Sequence, residues 1–451
     1  MIEIISLLTC LHPALSRTTV GQLSRIATAI LAMTGRVTML GISRWTGDGG
    51  SYRTVQRFFS TVIPWGLVFW HFFRAHLWAP DDVYLIAGDE CVVTKSGKCT
   101  HGLDRFFSSL YGKAVPGLAF FALSLVSTKA RRSFPMRIEQ VVKSDTEKAA
   151  AGTNPKKAHK RKSDAPNRKP GRPKGSKNRD KTQVTLTEEL NRIGGMVKQL
   201  IALVGDCFPL NYLVLDGHFG NNNALQMTRQ CGLHLISKLR SDAALYFCYQ
   251  GPYPGRGPRR KYGDRLKPDD IPARYLQQVS VKNGVQTRVY QAVMLHKEFA
   301  QRLNVVVVQK THLRTQRRAH VLLFSSDLTL TYQRLIDYYS LRFQIEFNFR
   351  DAKQHWGLED FMNVTQTGVT NAASLSLLMV NLSYRLLSDF RQATPDFSVL
   401  DLKSHCTGVK YVLETIKLLR EKPDPVLLSH IGKHVATIGA IHYVQAEMSP
   451  A

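Results

Sequence analysis

Tyr339, Arg342, Glu346 and Lys353 set a phenol, two cations and a carboxylate at positions i, i+3, i+7 and i+14. At about 100° per residue these positions fall within an arc of roughly 60° on one side of an α-helix. Leu341, Ile345, Phe349 and Ala352 form an apolar strip pointing elsewhere. The stretch IDYYSLRFQIEFNFRDAKQHWG therefore reads as one helix that packs on one side and presents polar chemistry on the other. Two readings of the polar row are open. Cations around a carboxylate suit a metal-bound phosphodiester, and an Arg342–Glu346 ion pair at i,i+4 is common on any solvated helix face.

The full pattern Tyr-x2-Arg-x3-Glu-x6-Lys, followed by His355-Trp356-Gly357-Leu358-Glu359, resembles the signature of one large group of bacterial insertion-sequence transposases. In that group the Glu is the third catalytic carboxylate of a DDE triad, so the resemblance implies two further acids at the ends of buried strands. Val83–Gly88 is a short apolar run ending in Asp89-Glu90 before the turn-rich Lys95-Ser96-Gly97-Lys98, and Tyr212–Leu215 runs likewise into Asp216 and Gly217. Asp89, Asp216 and Glu346 are thus the candidate catalytic and metal-binding residues. Relatives often have Thr after the first acidic pair where this chain has Cys91, which leaves Glu90 as a rival; Asp89 is preferred because it directly ends the apolar run. Asp206, Asp264, Asp269 and Asp327 lie in loop-like sequence.

Three carboxylates are hard oxygen donors suited to two Mg²⁺ ions, for which Mn²⁺ can substitute. Such a pair activates a water or 3′-hydroxyl and stabilises the leaving oxygen of an in-line displacement. The resemblance assigns Tyr339, Arg342 and Lys353 to gripping the transposon end. On the bland alternative, Arg342 only orients Glu346. Lys353 is expected to face solvent, two turns beyond Glu346.

Those acids need a scaffold. The resemblance implies an α/β fold, an RNase H-like mixed sheet flanked by helices, with a β-rich insertion and a helical N-terminal DNA-binding region. The domain expectations are helices over 1–80, core segments at 81–145, 183–240 and 311–395, a basic linker at 146–182, the β-rich insertion at 241–310 and C-terminal helices at 396–451. The interval from Asp216 to Glu346 is too long for one ordinary connection. Within it Val279–Val281, Thr287–Leu295 and Asn304–Gln309 read as strands around the turn Asn283-Gly284. Elsewhere Ala114–Ser127 reads as a buried strand, Asn223–Cys231 as a short helix, His234–Leu239 as a strand, and Ala372–Phe390 and Ser398–Arg420 as amphipathic helices.

Composition points separately to a polyanion. Lys and Arg number 61 against 34 acids, a net charge of +27, which draws nucleic acid by long-range field and counterion release. Residues Lys156–Lys181 hold twelve cations and two Asp, with almost nothing apolar to offset ordering entropy, and so read as a mobile linker. Within it Lys169-Pro170-Gly171-Arg172-Pro173-Lys174-Gly175 resembles an AT-hook, with Arg172 aimed at a narrow minor groove; a plain basic tether is the equal alternative. A second basic loop, Tyr253 to Tyr262, offers Arg259, Arg260 and Lys261 to DNA backbone. Ser51 reads as the cap of a short helix presenting Tyr52, Arg53, Gln56 and Arg57, with Arg53 and Arg57 as DNA contacts in the manner of a helix-turn-helix.

The seven cysteines, odd in number and without a Cys-x2-Cys pair, argue for reduced thiols and against structural zinc. No apolar run reaches the roughly 20 residues that span a bilayer, and Met1–Ser16 lacks the basic start of a signal peptide. The expectations are a cytoplasmic, nucleoid-associated bacterial transposase on double-stranded DNA, a homodimer in its synaptic complex. The rivals are a nuclease of the same fold that does not join strands, and a transposase-derived DNA-binding protein without catalysis.

Overall fold

The computed structural model describes residues 4–47, 49–108, 111–144, 180–253, 255–421 and 423–442. The chain divides into two compact units. One comprises Met1–Gln140, Ile193–Asp216 and Asp337–Ala451, and the other Val141–Arg192 and Gly217–Ile336.

The first unit opens with helices α1 (Ile4–Leu8), α2 (Arg17–Ala32), α3 (Met39–Trp45), α4 (Tyr52–Ser60) and α5 (Trp65–His76). Ser16, Thr38 and Ser51 cap α2, α3 and α4 by accepting backbone N–H groups with their hydroxyls, which satisfies donors that a helix start leaves orphaned. On α4 the side chains of Val55, Phe58 and Phe59 are buried while Tyr52, Arg53, Gln56 and Arg57 are exposed, as its spacing requires.

The sheet of this unit is mixed. Strand β1 (Tyr84–Thr94) runs antiparallel to the 15-residue β3 (Lys113–Ser127) and parallel to the short β5 (Tyr212–Val214). Strand β2 (Asp104–Ser108) pairs with the outer side of β3, as does β4 (Arg132–Val141). Buried Leu118 to Ser127 make β3 the apolar centre. The α6 helix (Glu188–Val204), which belongs to this unit from Ile193 onward, precedes β5.

The helices α8 (Tyr332–Leu341), α9 (Gln344–His355), α10 (Gln366–Phe390), α11 (Val399–Leu418) and α12 (Pro425–Ala436) follow the second unit, which holds the first turn of α8. Most of α10 from Gly368 to Leu387 is buried, including four serines and asparagines between Asn371 and Asn381. Asn371 there accepts from Trp65 Nε1 at 2.8 Å and donates to the carbonyls of Phe59 and Thr61, tying the ends of α4 and α5 to α10. Among the described residues no helix is long and apolar enough to cross a membrane.

The second unit contains α7 (Asn222–Gln230), β6 (His234–Leu239), β7 (Leu245–Cys248), β8 (Tyr262–Arg265), β9 (Leu276–Lys282), β10 (Val285–His296), β11 (Leu303–His312) and β12 (Arg318–Ser325). β6, β12, β11 and β10 pair antiparallel in that order, and β10 is bordered along its length by β9 and then β7. The expected strands fall within β9, β10 and β11. Asn283 and Gly284 turn the β9–β10 hairpin with φ of 51° and 71°, the left-handed pair that a tight hairpin demands.

Two local expectations are corrected. The run from Val83 does not stop at Asp89, because β1 continues to Thr94 with Asp89, Glu90 and Cys91 paired opposite Ala122, Phe121 and Phe120. The length of β3 supplies pairing partners that override the poor strand propensity of an acidic pair. The signature stretch is not one helix: α8 and α9 meet at Arg342-Phe343. Through this junction the N–H groups of Arg342, Phe343, Ile345 and Glu346 bond three residues back, the tighter 3₁₀ pattern.

Candidate active site

Parallel pairing of β1 with β5 sets the first two acids. Ile86 lies opposite Leu213 and Ala87 opposite Val214, so Asp89 and Asp216 each follow the paired positions by the same count. Adjacent strands lie about 4.8 Å apart, which brings two distant carboxylates to neighbouring chains. Gly88 makes room for the packing beneath them: a Cβ there would stand 2.8 Å from the Phe121 ring and 2.9 Å from Leu215. Glu90 points to the opposite face of β1, as alternate strand residues must, and is exposed.

The third acid arrives on α9. Glu346 occupies its first turn, where the unpaired N–H groups of the helix start favour a negative charge. Arg342, at the α8–α9 junction, joins it to the first: Nη1 donates to Asp89 Oδ2 at 2.8 Å and Nη2 to Glu346 Oε1 at 3.0 Å. The Arg342 side chain is only 14% exposed. This guanidinium therefore bridges two carboxylates that lie 257 positions apart in the numbering.

Burial pushes the Asp89 carboxyl above its ordinary range, Arg342 pulls it back, and the charges of Asp216 and Glu346 push it up again. Burial would lower Arg342, but Asp89, Tyr339 and Glu346 more than reverse that. The Tyr339 phenol is raised by burial and by the nearby acids, against the pull of Arg342. Five residues, Asp89, Asp216, Tyr339, Arg342 and Glu346, thus share one electrostatic environment.

The donor chemistry suits a hard divalent cation, since every candidate ligand is a carboxylate oxygen. Among the described residues, however, no three acidic, histidine or cysteine side chains are gathered closely enough to chelate an ion. Arg342 stands between Asp89 and Glu346 and pairs with both.

Lys353 does not face solvent. Its side chain is 27% exposed, Nζ donates to the Val92 carbonyl at 2.8 Å, and the Glu359 carboxylate lies 3.2 Å away. Burial would lower this ammonium, but Cys91 and Glu359 beside it hold it above the usual lysine value. Lys95 makes the reciprocal tie, unnoticed in the sequence: from just beyond β1 it donates to the carbonyls of Glu359 and Phe361 and lies 3.8 Å from the Phe361 ring centre. Burial brings its pKa down to about 8. Two lysines thereby staple the end of β1 to the segment after α9. Gly357 ends that helix at φ +82°, and a Cβ there would lie 2.4 Å from Val37 Cβ.

The remaining candidates lie elsewhere. Arg53 and Arg57 are on the exposed side of α4. Arg259, Arg260 and Lys261 are exposed in the loop before β8, with Arg259 over Tyr253 and Arg260 over Tyr249. Arg172 and the AT-hook-like segment lie outside the described residues.

The family described as DDE superfamily endonuclease matches residues 7–302. The chain belongs to that family. The match takes in Asp89 and Asp216 and ends before Arg342 and Glu346. This DDE endonuclease family supplies the nuclease or transposase class of enzyme and implies DNA as substrate. No curated protein matches the chain.

Proposed function

We propose that this DDE endonuclease is an insertion-sequence transposase of the Tyr-x2-Arg-x3-Glu-x6-Lys group, cutting DNA at element ends and joining the ends to target DNA. The observation that carries the reading is the Arg342 bridge between Asp89 and Glu346, with Asp216 in register beside Asp89. The mixed sheet supports an RNase H-like core, and the +27 charge supports a polyanionic substrate. Asp89, Asp216 and Glu346 would hold Mg²⁺ or Mn²⁺. When bound, such ions supply Lewis acidity and lower the pKa of an attacking water or 3′-hydroxyl.

The chain's own residues do the rest. Arg342 holds two of the acids in place and, once they turn to other partners, offers a two-pronged donor to a phosphate. The Tyr339 phenol stands beside it as a neutral donor. Lys353 fixes α9 against β1 and so sets the position of Glu346; it is a positioning residue here. Arg53, Arg57, Arg259, Arg260, Lys261 and Arg172 are proposed to neutralise DNA backbone, and a homodimer to hold the two ends together in the bacterial cytoplasm.

The test uses plasmid donor DNA carrying the inverted repeats that flank the gene. Asp89→Asn, Asp216→Asn and Glu346→Gln each abolish cleavage while duplex binding stays within about twofold, because each removes one ligand charge and no basic surface. Near-normal cutting in any one removes that residue from the triad. Cutting without joined products makes the chain a nuclease only.

A further inference from the structure

The second unit carries a cationic surface that none of the foregoing uses. Its strands and turns from Leu276 to Ser326 contain eight Lys or Arg and a single acid, Glu298. Strand register sorts them. Lys282, Val285 and His312 lie in one row across β9, β10 and β11, and His312 N–H bonds the carbonyl of Arg317 just before β12. Two residues inward, and so on the same face, comes the row Ser280, Thr287, Lys310 and Ala319. Lys282, Lys310 and Arg317 therefore share a face with the hydroxyls of Ser280 and Thr287 and with His312. Neither row contains a carboxylate. Arg314 extends the set from the β11–β12 turn.

Lys282, Lys310, Arg314 and Arg317 are all exposed and, among the described residues, have no ion-pair partner. Arg318, on the opposite face, pairs with Asp269 at 3.4 Å. The frame beneath is fixed. Leu313 N–H bonds the Gly284 carbonyl at 2.8 Å and so joins the two turns, while Gln316 N–H and Thr315 N–H bond the carbonyl and ring nitrogen of His312. Four cations held without acids on a rigid tip lose little freedom on binding.

We propose that this end of the β9–β12 sheet grips the backbone of duplex DNA. The outer row spans three strand spacings, about 14 Å, close to the roughly 12 Å width of a major groove. Lys282 and Arg317 then meet phosphates on opposite sides of a groove, Lys310 and Arg314 meet flanking ones, and Ser280 and Thr287 add neutral hydrogen bonds. The inference rests on DNA being the substrate.

The test measures full-length protein on a mixed-sequence 30-base-pair duplex in EDTA, over a salt series, so that cleavage plays no part and a failed transposase assay leaves the outcome readable. The variant with Lys282, Lys310, Arg314 and Arg317 all changed to Ala lowers the slope of log affinity against log salt by about 3.6, each lost phosphate contact contributing about 0.9. Lys310→Gln and Arg317→Gln alone each lower it by about 0.9. Arg318→Ala leaves it unchanged, its charge being already paired. An unchanged slope in the single and fourfold variants overturns the proposal, as does a fall in Arg318→Ala equal to that in Arg317→Gln, since total charge and not this face would then be responsible.

Discussion

At the scale of single residues the site is organised by two cations with different duties. Arg342 pairs with both Asp89 and Glu346, so Arg342→Ala leaves two half-buried carboxylates without their shared cation. Thermal melts check this: the variant is less stable than wild type in EDTA and gains more on adding Mg²⁺, because a ligand that binds only the folded state stabilises it by mass action. A variant that melts like wild type in both conditions removes Arg342 from this duty. Lys353→Ala loses a charged hydrogen bond to a strand carbonyl and an ion pair, and costs about 1.5 to 3 kcal/mol. Its cleavage rate falls with stability and recovers at lower temperature. Unchanged stability with weakened end binding would return Lys353 to the phosphate-gripping role that its spacing suggests. The spacing of Tyr339, Arg342, Glu346 and Lys353 was enough to expect the Arg342–Glu346 ion pair, since the two lie four residues apart. It could not reveal that Arg342 also reaches Asp89, or that Lys353 reaches Val92, because neither partner is local in sequence.

At the scale of elements, apolar runs announced β3 and β6 and helical spacing announced α10, none of which needs long-range information to be recognised. β1 was foreseen only to Asp89, since its last five residues are held as strand by pairing with β3. The break between α8 and α9 has no Gly or Pro to mark it, and only the hydrogen-bond pattern reveals it. The end of α9 is different: Trp356-Gly357 is a stop written in sequence. Gly357→Ala forces a left-handed backbone on a residue with a Cβ and presses that carbon into Val37, so a loss of about 1 to 3 kcal/mol is expected from the strained backbone alone. Chemical denaturation measures it. A loss below half a kcal/mol would mean that the turn relaxes freely and that α9 is not fixed at this point.

At the scale of the whole molecule, Asp401 ties the start of α11 in the first unit to Ile441 and His442. This fully buried carboxylate takes hydrogen bonds from Ser398 N–H and hydroxyl at the start of α11 and from Ile441 N–H, His442 N–H and the His442 ring. Burial would raise its pKa, but these donors carry it well below the carboxylate range. A depressed folded-state pKa gives stability that is present above the unfolded value near 3.9 and lost as pH falls below it. The melting temperature should therefore drop below about pH 4, and Asp401→Asn should cost about 2 to 3 kcal/mol at neutral pH and flatten that drop. An unaltered acid profile in the variant would place the transition on other groups. The interposition of a whole compact unit between Asp216 and Asp337 has a consequence in time. On the ribosome, at about 5 to 20 residues per second, Asp216 emerges roughly 6 to 26 seconds before Glu346, and Asp89 earlier still. On the proposed function, a nascent or prematurely ended chain thus carries the exposed arginines of α4 before it owns the third acid, and the ability to bind would precede the ability to cut.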